Sequence, residues 1–495
     1  MTALDRRQFL VRGAAVAGGS IVASSGWAGL STRLAAASSG RAPGQDKKGG
    51  YGPLHPTAPA NERGGFEYLA LPRGFSYVVL SKIGDPMSDG TPTPAQLDGM
   101  AAFAGPHGAV RLIRNHEIRN AAQVQVTGPV ETRYDPAAPY NGGTTTLDYD
   151  PHRRQLIRDF VSLNGTIVNC AGGKGLGDRS WITGEEIITT FGNKKHGYNF
   201  EVPLDRSGPA LTEPIVAMGR FAHEAVATDP SSGNVYQTED AGGGRGSGFY
   251  RYLPNNPRQL LAGGRLQMLA VVGEPRADLR EGRIVGGSLT ATWVDIDEPD
   301  ADPLATTNAD GLRSGTSGPF AEGFGKGGAK FNRLEGIWWG TDSVFFVSTS
   351  GGDAKNPEAP NADGYQEGYG QVWEYRPLES HLVLLYQSPS AAALDSPDNL
   401  VVTPRGGLLL CEDDASSDGD THPLAPGIED VNRLIGLTRS GEAFEFAVNR
   451  FNDSELAGAC FSPDGDVLFV NILGDGSVGS GLTVAVRGPW ARGAL

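Results

Sequence analysis

The feature that most constrains the fold is a strand pattern that recurs along the chain. Six apolar or aromatic segments each end in a polar loop: VRLIRNHE (110–117), SWITGEE (180–186), VYQTED (235–240), VFFVSTS (344–350), LLLCEDD (408–414) and VLFVNIL (467–473). A weaker strand and a tight turn precede each segment. Such a unit cannot bury its faces alone, but radial stacking of the units closes a β-propeller. The sequence therefore predicts an all-β, six-bladed β-propeller, with a seven-bladed propeller or a pair of β-sandwiches as alternatives.

Composition agrees with many short strands and narrows the range of partners. The 495 residues include 71 Gly and 33 Pro, which is a turn-rich composition. The formal net charge of −15 at pH 7 disfavours nucleic acid and anionic membrane surfaces as partners. It also suits a protein that concentrates cations, although a solvated acidic surface is the commoner reason for such a charge.

The N-terminus has the pattern of an export signal. Arg6 and Arg7 precede a short apolar stretch rich in Gly and Ala, and LAAAS offers a cleavage site after Ala37. This is typical of a Tat signal peptide, with a Sec signal or an N-terminal anchor as alternatives. The stretch is too short and too rich in Gly and Ser for a stable membrane span. We expect the Tat translocase as a transient partner and a final location in the periplasm, on the cell surface or outside the cell.

The predicted organisation is a signal peptide over 1–37, an N-terminal arm over 38–66 and a single β-propeller domain over 67–495. The glycine-rich segment 300–330 is expected to form a loop outside the blades. A closed propeller leaves no edge strand that demands a partner, so the sequence predicts a monomer.

Polar residues lie at equivalent places in the repeats. The innermost strand of a propeller blade lines the central channel, so the start of the first strand and the end of the second lie at the same mouth. The starts hold Asp98, Cys170, His223, Glu224, Arg333, Glu335, Asp398 and Asn399, with Glu455 shortly before the sixth. The ends hold Asn115, His116, Glu117, Glu185, Glu186, Glu239, Asp240, Glu412, Asp413 and Asp414.

This convergence predicts a metal cluster at one mouth of the channel. So many carboxylates cannot all stay ionised in a low-dielectric site without cations. Oxygen ligands suit Ca²⁺ or Mg²⁺, whereas the thiolate of Cys170 points to a transition metal such as iron or zinc. Any one of these acids alone is explained as a turn or cap residue, but their repetition over five blades favours a shared site. Cys411 and Cys460 are expected to be buried thiols, with a disulfide as the alternative.

The ordered motifs resemble one family. RNHE, NCAGG, HEA, TED, FNRLEGIW, SPDNL, CEDD and CFSPDG, followed by LFVN, stand in this order behind the twin-arginine signal. The set is similar to the PhoX family of bacterial alkaline phosphatases and covers roughly residues 60–475. The resemblance implies a six-bladed propeller with a central cluster of Fe³⁺ and Ca²⁺. It also implies a small-molecule phosphomonoester as substrate, hydrolysed outside the cytoplasm.

The resemblance also implies roles for individual residues. Cys170 matches the family's cysteine ligand to iron, Glu224 and Glu335 match carboxylates on the iron pair, and Arg333 matches the arginine that binds the substrate phosphate. Further implied ligands, most of them for calcium, are Glu239, Asp240, Asp398, Asn399, Glu412 and Asp413. Asn115, His116, Glu117 and His223 are additional candidate site residues. Two departures from the family pattern are Leu334, where proline is common, and a chain shorter than the larger PhoX enzymes.

The sequence leaves two other function classes open. The same scaffold carries calcium-dependent lactonases and phytases, and a propeller can also be a non-catalytic binding module. The sequence has no G-x-S-x-G elbow, and NHEIRN and AHEAVA lack the second histidine of the H-E-x-x-H zinc motif.

Overall fold

A computed structural model describes residues 50–352, 355, 363–414 and 419–495. The predicted signal peptide and residues 38–49 of the predicted arm lie outside this described part. The first three strands are β1 (Leu54–Thr57), β2 (Leu69–Pro72) and β3 (Ser76–Lys82). Six groups of antiparallel strands then follow along the chain, and the outer strands of the third and fourth groups pair to join them into one nine-stranded sheet.

The first three groups occupy the N-terminal half of the described chain. The first group contains β4 (Leu97–Ala104), β5 (Val110–His116), β6 (Gly142–Asp150) and β7 (Gln155–Thr166). The second contains β8 (Asn169–Lys174), β9 (Ser180–Glu185) and β12 (Asn199–Pro203), with a hairpin of β10 (Thr189–Phe191) and β11 (Lys194–His196). The third contains β13 (His223–Thr228), β14 (Val235–Glu239), β15 (Phe249–Pro254), β16 (Gly264–Val271) and β17 (Ser288–Ile296).

The other three groups complete the fold. The fourth contains β18 (Leu334–Trp339), β19 (Val344–Ser348), β20 (Gln371–Arg376) and β21 (His381–Gln387). The fifth contains β22 (Pro397–Val402), β23 (Leu408–Glu412), β24 (Arg433–Leu437) and β25 (Ala443–Asn449). The sixth contains β26 (Leu456–Phe461), β27 (Leu468–Ile472) and β28 (Leu482–Arg487), and β3 is its outer strand.

The six groups form a closed ring. Their first strands contact one another in turn, and the ring closes because the last contacts the first: β4, β8, β13, β18, β22 and β26. Trp338 on β18 packs against apolar clusters that belong to different groups around this ring. The predicted all-β propeller is confirmed, and the count of six blades stays a prediction.

The two ends of the described chain are joined by strand pairing. β3 pairs antiparallel with β28, so that a strand from the N-terminal part completes the C-terminal group. The short β1 pairs with β2, which extends the fifth group at its outer edge. Tyr51 packs edge-on against Phe75 and Trp490, and its hydroxyl bonds the carbonyl oxygen of Trp490. Residues 50–57 therefore extend the outer edge of the fifth group and hold Trp490 near the C-terminal end of the chain.

The segment predicted as a loop outside the blades contains a short helix. Residues 318–325 form α1 (Gly318–Gly325) between β17 and β18. Ser317 caps it, because its hydroxyl accepts a hydrogen bond from the Phe320 amide and Pro319 stands in the first turn. The glycine content of the segment disfavours a helix, so the sequence predicted a loop. The capping serine and the proline in the first turn are the signals that identify the helix.

Each innermost strand carries a β-bulge near its start. Two consecutive residues of the first strand lie opposite one residue of the second: Asp98–Gly99, Cys170–Ala171, Glu224–Ala225, Glu335–Gly336, Asp398–Asn399 and Gly458–Ala459. A bulge bends its strand and re-aims a side chain. Since the bulges occupy equivalent places in all six groups, the residues that they re-aim converge on one end of the channel.

The same backbone hydrogen bond stands beside every bulge. The residue just after the second strand donates its N–H to the carbonyl of the residue just before the first: 117 to 96, 186 to 168, 240 to 222, 349 to 333, 413 to 396 and 473 to 455. Four of the accepting residues have a left-handed backbone: Gln96, Val168, Arg333 and Ser396. Strained backbone of this kind persists where the surrounding structure holds it in place, and it often marks functional sites.

Small residues in the bulges let the innermost strands approach closely. A Cβ at Gly336 would lie 2.7 Å from the carbonyl oxygen of Asp398. We therefore expect Gly336→Ala to destabilise the fold by about 1–3 kcal/mol through overpacking. Thermal unfolding measures this effect, with Gly208→Ala as control because a Cβ there meets nothing within 4 Å. Equal melting temperatures for the two variants would contradict the expectation.

Candidate metal centre

The bulges bring five potential ligands to the channel mouth, one from each of the first five groups. They are Asp98, Cys170, Glu224, Glu335 and Asp398, all at most 6% exposed. Each is the first residue of its bulge, and a small residue or asparagine follows it. The sixth bulge begins with Gly458, and Glu455 approaches the same mouth from just before β26.

A second set of acids comes from the ends of the second strands. Glu117, Glu186, Asp240 and Asp413 each follow directly after such a strand, and their amides make the repeated hydrogen bond beside the bulge. In the fourth group Thr349 occupies the equivalent place. The start and end positions predicted from the sequence therefore do meet.

The acids and the thiol form one continuous cluster. Four groups of three residues each have ligand atoms within 4.8 Å of one another: Asp98, Glu117 and Cys170; Cys170, Glu186 and Glu224; Glu186, Asp240 and Glu335; and Glu224, Glu335 and Asp398. Because neighbouring groups share members, the cluster runs around the channel mouth. A distance of this size is suitable for ligands that share a metal ion.

The electrostatics of the cluster call for cations. Both carboxylate oxygens of Glu224, one of Asp98 and one of Glu455 are buried without a hydrogen-bond partner. Burial and the neighbouring carboxylates raise the pKa of Asp98, Glu224 and Glu455 well above the usual range. For the same reasons the pKa of Asp398 is raised to about 7. Buried acids without partners are the donor set that multivalent metal ions satisfy, so the residues fit a metal centre.

Cys170 needs a positive charge to act as a ligand. Burial, with Asp98 and Glu224 nearby, raises the pKa of its thiol well above the ordinary value. The bulge that carries Cys170 is held by Asn115, whose side-chain amide donates to the carbonyl oxygens of Cys170 (3.0 Å) and Ala171 (2.7 Å). Trp181 in turn donates to the Asn115 side-chain oxygen (2.8 Å). Asn115 therefore positions the thiol instead of joining the cluster.

Arg333 lies at the rim of the cluster. Its Nη2 is 3.0 Å from Asp240 Oδ2 and 2.9 Å from Glu335 Oε1. The side chain is 32% exposed, whereas both carboxylates are buried. The guanidinium therefore stands between the buried acids and the open mouth, where it can reach an anion from solvent.

Strand alternation turns four other candidates away from the cluster. His116, Glu185, Glu239 and Glu412 are the last residues of their second strands, and successive side chains of a strand point to opposite faces. Glu239 accepts hydrogen bonds from the hydroxyls of Tyr250 (2.6 Å) and Ser317 (2.5 Å). Glu412 is paired with Arg433 at 2.7 Å. The structure does not bring Glu239 or Glu412 to the cluster, although the sequence-based set included them.

The two histidine candidates also serve the scaffold. His116 bonds the Ala95 carbonyl oxygen and the Thr145 hydroxyl, both at 2.8 Å. His223 contacts Asn199 and the Gly219 carbonyl oxygen, and burial lowers its pKa to about 3. Each histidine has both ring nitrogens in use. Neither therefore offers a free nitrogen to the cluster.

Asn399 links two blades at the mouth. Its side-chain amide donates to Asp398 (3.0 Å), and its side-chain oxygen accepts from the Gly458 amide. It thereby fixes the fifth bulge against the sixth. Asn399 lies beside the cluster, next to the ligand candidate Asp398.

Four residues at the mouth lie outside the ligand set that the sequence predicts. The sequence places Asp98, Glu186 and Glu455 at the channel mouth without implying a ligand role, and it gives no signal for Arg119. Strand alternation is the signal that identifies Glu186 and Asp240. Where two consecutive acids stand at the end of the second strand of a group, the side chain of the later acid points to the cluster. Arg119 has no such signal, because it lies in the loop beyond β5.

A separate acidic group has its own cation. Asp395, Asp414 and Asp420 have ligand atoms within 4.8 Å of one another. Lys355 Nζ is 2.5 Å from Asp395 Oδ1 and 3.3 Å from Asp414 Oδ1. A lysine ammonium therefore balances part of the charge of this group.

The fold and the cluster define a β-propeller enzyme scaffold with a metal-binding centre at one mouth. The sequence matches the family described as alkaline phosphatase PhoX over residues 49–476. The chain therefore belongs to the PhoX family of alkaline phosphatases, which are metal-dependent enzymes that hydrolyse phosphomonoesters. The phosphatase prediction is confirmed, in preference to the lactonase, phytase and binding-module alternatives.

One solved structure shares this fold, and a second gives a weaker match. Pseudomonas fluorescens PhoX in complex with vanadate, a transition state analogue, is 18% identical with a TM-score of 0.61, covering 89% of this chain and 98% of that one. A gluconolactonase from Xanthomonas campestris is 10% identical with a TM-score of 0.40, covering 88% of this chain and 98% of that one. Comparison with curated proteins gives no significant match.

Within the described ranges, no helix is both long and apolar enough to span a membrane.

We expect the metal-free protein to lose stability as the pH rises. The raised pKa values of the cluster, about 7 for Asp398, exceed the value of about 4 in an unfolded chain. The folded protein then binds protons more tightly than the unfolded chain, so this stabilisation is present below about pH 4 and is lost on the way to about pH 7. Thermal unfolding of chelated protein should show a falling melting temperature from pH 5 to 8. A rising melting temperature over that interval would contradict this.

Added metal should reverse the loss. Cations replace the protons that neutralise the carboxylates, and a ligand that binds only the folded state stabilises it. The increase in melting temperature on adding metal should therefore be larger at pH 8 than at pH 5.

Proposed function

We propose that this chain is an exported phosphatase whose cluster holds Ca²⁺ and Fe³⁺ and hydrolyses small phosphomonoesters. The observation that carries the proposal is the ring of buried carboxylates that includes the Cys170 thiol and in which both oxygens of Glu224, one of Asp98 and one of Glu455 have no hydrogen-bond partner. Oxygen-only positions suit calcium, and a thiolate among carboxylates suits a ferric ion. Phosphomonoester chemistry follows from the family to which the chain belongs.

The bulge residues next to Cys170 are assigned to iron. Cys170, Glu186 and Glu224 have ligand atoms within 4.8 Å, and Glu224 shares a further group with Glu335 and Asp398. We assign Cys170, Glu224 and Glu335 to the iron side of the cluster. The other acids, which include Asp98, Glu117, Asp240, Asp398 and Asp413, are assigned to the calcium side.

Glu239 and Glu412 receive supporting roles. Glu239 links β14 to the segment before α1 through Ser317, and Glu412 accepts from the Asp395 amide while it pairs with Arg433. These contacts fix the ends of β14 and β23. The acids that follow them, Asp240 and Asp413, are thereby held toward the cluster.

Arg333 is assigned to the substrate phosphate. In the structure it pairs with Asp240 and Glu335. With cations bound by those two carboxylates, the Arg333 guanidinium would be free to bind an oxyanion. A guanidinium presents parallel N–H donors that match two phosphate oxygens. Arg333 would then orient the phosphoryl group and stabilise the charge that spreads over its oxygens during transfer.

The metals supply the rest of the chemistry when bound: they neutralise the phosphate dianion and lower the pKa of water. The chain contributes a rigid frame, because the cluster residues lie on bulges and strand ends that the repeated backbone hydrogen bonds hold. It also contributes an open rim at which Arg333 meets the substrate.

Export is the remaining part of the proposal. The support is the Arg6–Arg7 pair and the short apolar stretch that follows it, residues that lie outside the described part of the structure. Folding and metal loading before export would protect the Cys170 thiol from oxidation. This order is possible on the Tat route, which carries folded proteins.

The activity is tested by hydrolysis of p-nitrophenyl phosphate. We expect purified mature protein to hydrolyse it at alkaline pH, and we expect calcium chelation to abolish turnover because the carboxylate ring then loses its cations. Metal analysis of the same sample makes the assay decisive. Metal-loaded protein that releases no phosphate would exclude the proposed function.

The ligand assignment is tested by metal content. Cys170→Ser and Glu224→Gln should each lose the transition metal, because each removes an anionic ligand from that side of the cluster. Glu239→Gln is the matched control, since it changes an equally buried acid that points away, and it should retain its metals. Elemental analysis of the three variants beside wild type measures this. Full iron in Cys170→Ser, or loss of iron confined to Glu239→Gln, would overturn the assignment.

A further inference from the structure

A second arginine stands at the cluster rim. Arg119 follows Glu117 by two residues, in the loop that leaves β5. Its Nη2 is 2.5 Å from Glu186 Oε2 and also contacts Glu117. The side chain is 50% exposed, while the Glu117 and Glu186 side chains are 8% and 10% exposed. A half-exposed guanidinium therefore covers two buried members of the cluster.

Arg119 mirrors Arg333. Arg333 precedes its cluster acid by two residues, and Arg119 follows its own by two. Arg333 comes from the fourth group of strands and pairs with Asp240 and Glu335, whereas Arg119 comes from the first group and pairs with Glu186. The ligand atoms of these three acids lie within 4.8 Å of one another. A single triad of carboxylates thus separates the two guanidinium groups.

The shared triad places the two arginines around the same space. Arg119 contacts it at Glu186, and Arg333 contacts it at Asp240 and Glu335. Because ligand atoms of the three acids lie within 4.8 Å of one another, both guanidinium groups border the same part of the mouth.

The loop that carries Arg119 is held by its own side chains. The Arg119 and Asn120 amides donate to Gln123 Oε1, at 2.7 and 3.2 Å. Gln125 donates to the carbonyl oxygens of Asn120 (2.9 Å) and Gln123 (3.0 Å), and it accepts from the Asn141 amide (2.6 Å). These bonds fix the backbone from which the guanidinium extends. Because this backbone is already fixed, less conformational entropy is lost when the Arg119 side chain binds an anion.

We propose that Arg119 is a second phosphate-binding residue, which holds the phosphoryl group from across the carboxylate triad while Arg333 holds it from the other side. The inference rests on the proposed function and deepens it. When Glu117 and Glu186 ligate cations, Arg119 loses its two partners and is left at the open mouth with unpaired donors. A phosphate dianion satisfies both guanidinium groups at once.

The alternative role is charge balance, in which Arg119 only stabilises the acids beneath it. The two roles differ in what a metal-loaded variant does. Loss of a phosphate ligand weakens the binding of phosphate without removing metals. Loss of a charge-balancing residue changes metal content or stability but leaves phosphate affinity intact.

The test combines metal analysis, calorimetric binding of inorganic phosphate and steady-state kinetics. Arg119→Ala should keep its metals and weaken phosphate binding by about 10-fold to 100-fold, as expected for loss of a charged hydrogen-bond pair. Arg119→Lys should recover part of this loss, because it restores the charge without the parallel donors. Arg153→Ala is the control: it removes an exposed arginine paired with Asp150 at 3.7 Å and should match wild type.

Wild-type phosphate affinity in metal-loaded Arg119→Ala would overturn the proposal. If that variant loses metal, metal-loaded Arg119→Lys decides: wild-type affinity overturns the proposal, and weakened affinity supports it. Failure of the proposed function is a separate result, since it appears as inactive wild-type protein. Phosphate binding by calorimetry still reports on Arg119 in that case.

Discussion

The repeated β-bulge is the constraint on which the site depends. In a regular strand, alternate side chains face the neighbouring blades, and a single residue per strand cannot be aimed at the mouth without disturbing that packing. The bulge adds one residue at the same place in every innermost strand. Asp98, Cys170, Glu224, Glu335 and Asp398 are thereby turned to the mouth while the apolar residues beyond them keep their phase.

Burial of these acids creates a charge problem that the structure resolves only in part. Arg119 and Arg333 neutralise the rim, whereas Glu224 has neither carboxylate oxygen hydrogen-bonded. Unpartnered buried carboxylates cost free energy unless protons or cations compensate them. Part of the net charge of −15 is thus concentrated at the channel mouth, where it can bind metal ions. Stability and metal binding are linked at this one place.

The sequence predicted the propeller, the mouth and most of the bulge residues, because the repeat places polar residues at equivalent strand starts. It did not predict which of two consecutive acids at a strand end points to the cluster. Glu239–Asp240 and Glu412–Asp413 are pairs of acids in which only one side chain can reach the cluster, and the choice depends on strand alternation. The partners that hold the other acid, such as Ser317 and Arg433, come from distant segments. No local sequence pattern predicts these partners.

The division between strands and loops explains which parts of the site the repeat fixes. The candidate metal ligands lie on bulges and strand ends, where one backbone hydrogen bond recurs in all six groups. The two solvent-facing arginines lie outside the regular strands. Arg119 lies in a loop held by Gln123, and Arg333 precedes β18 and has a left-handed backbone conformation. Loops vary more readily than the packed strands that carry them. The position of the cluster is therefore set by the repeated strands, whereas the two arginines proposed to bind phosphate come from the loops around the mouth.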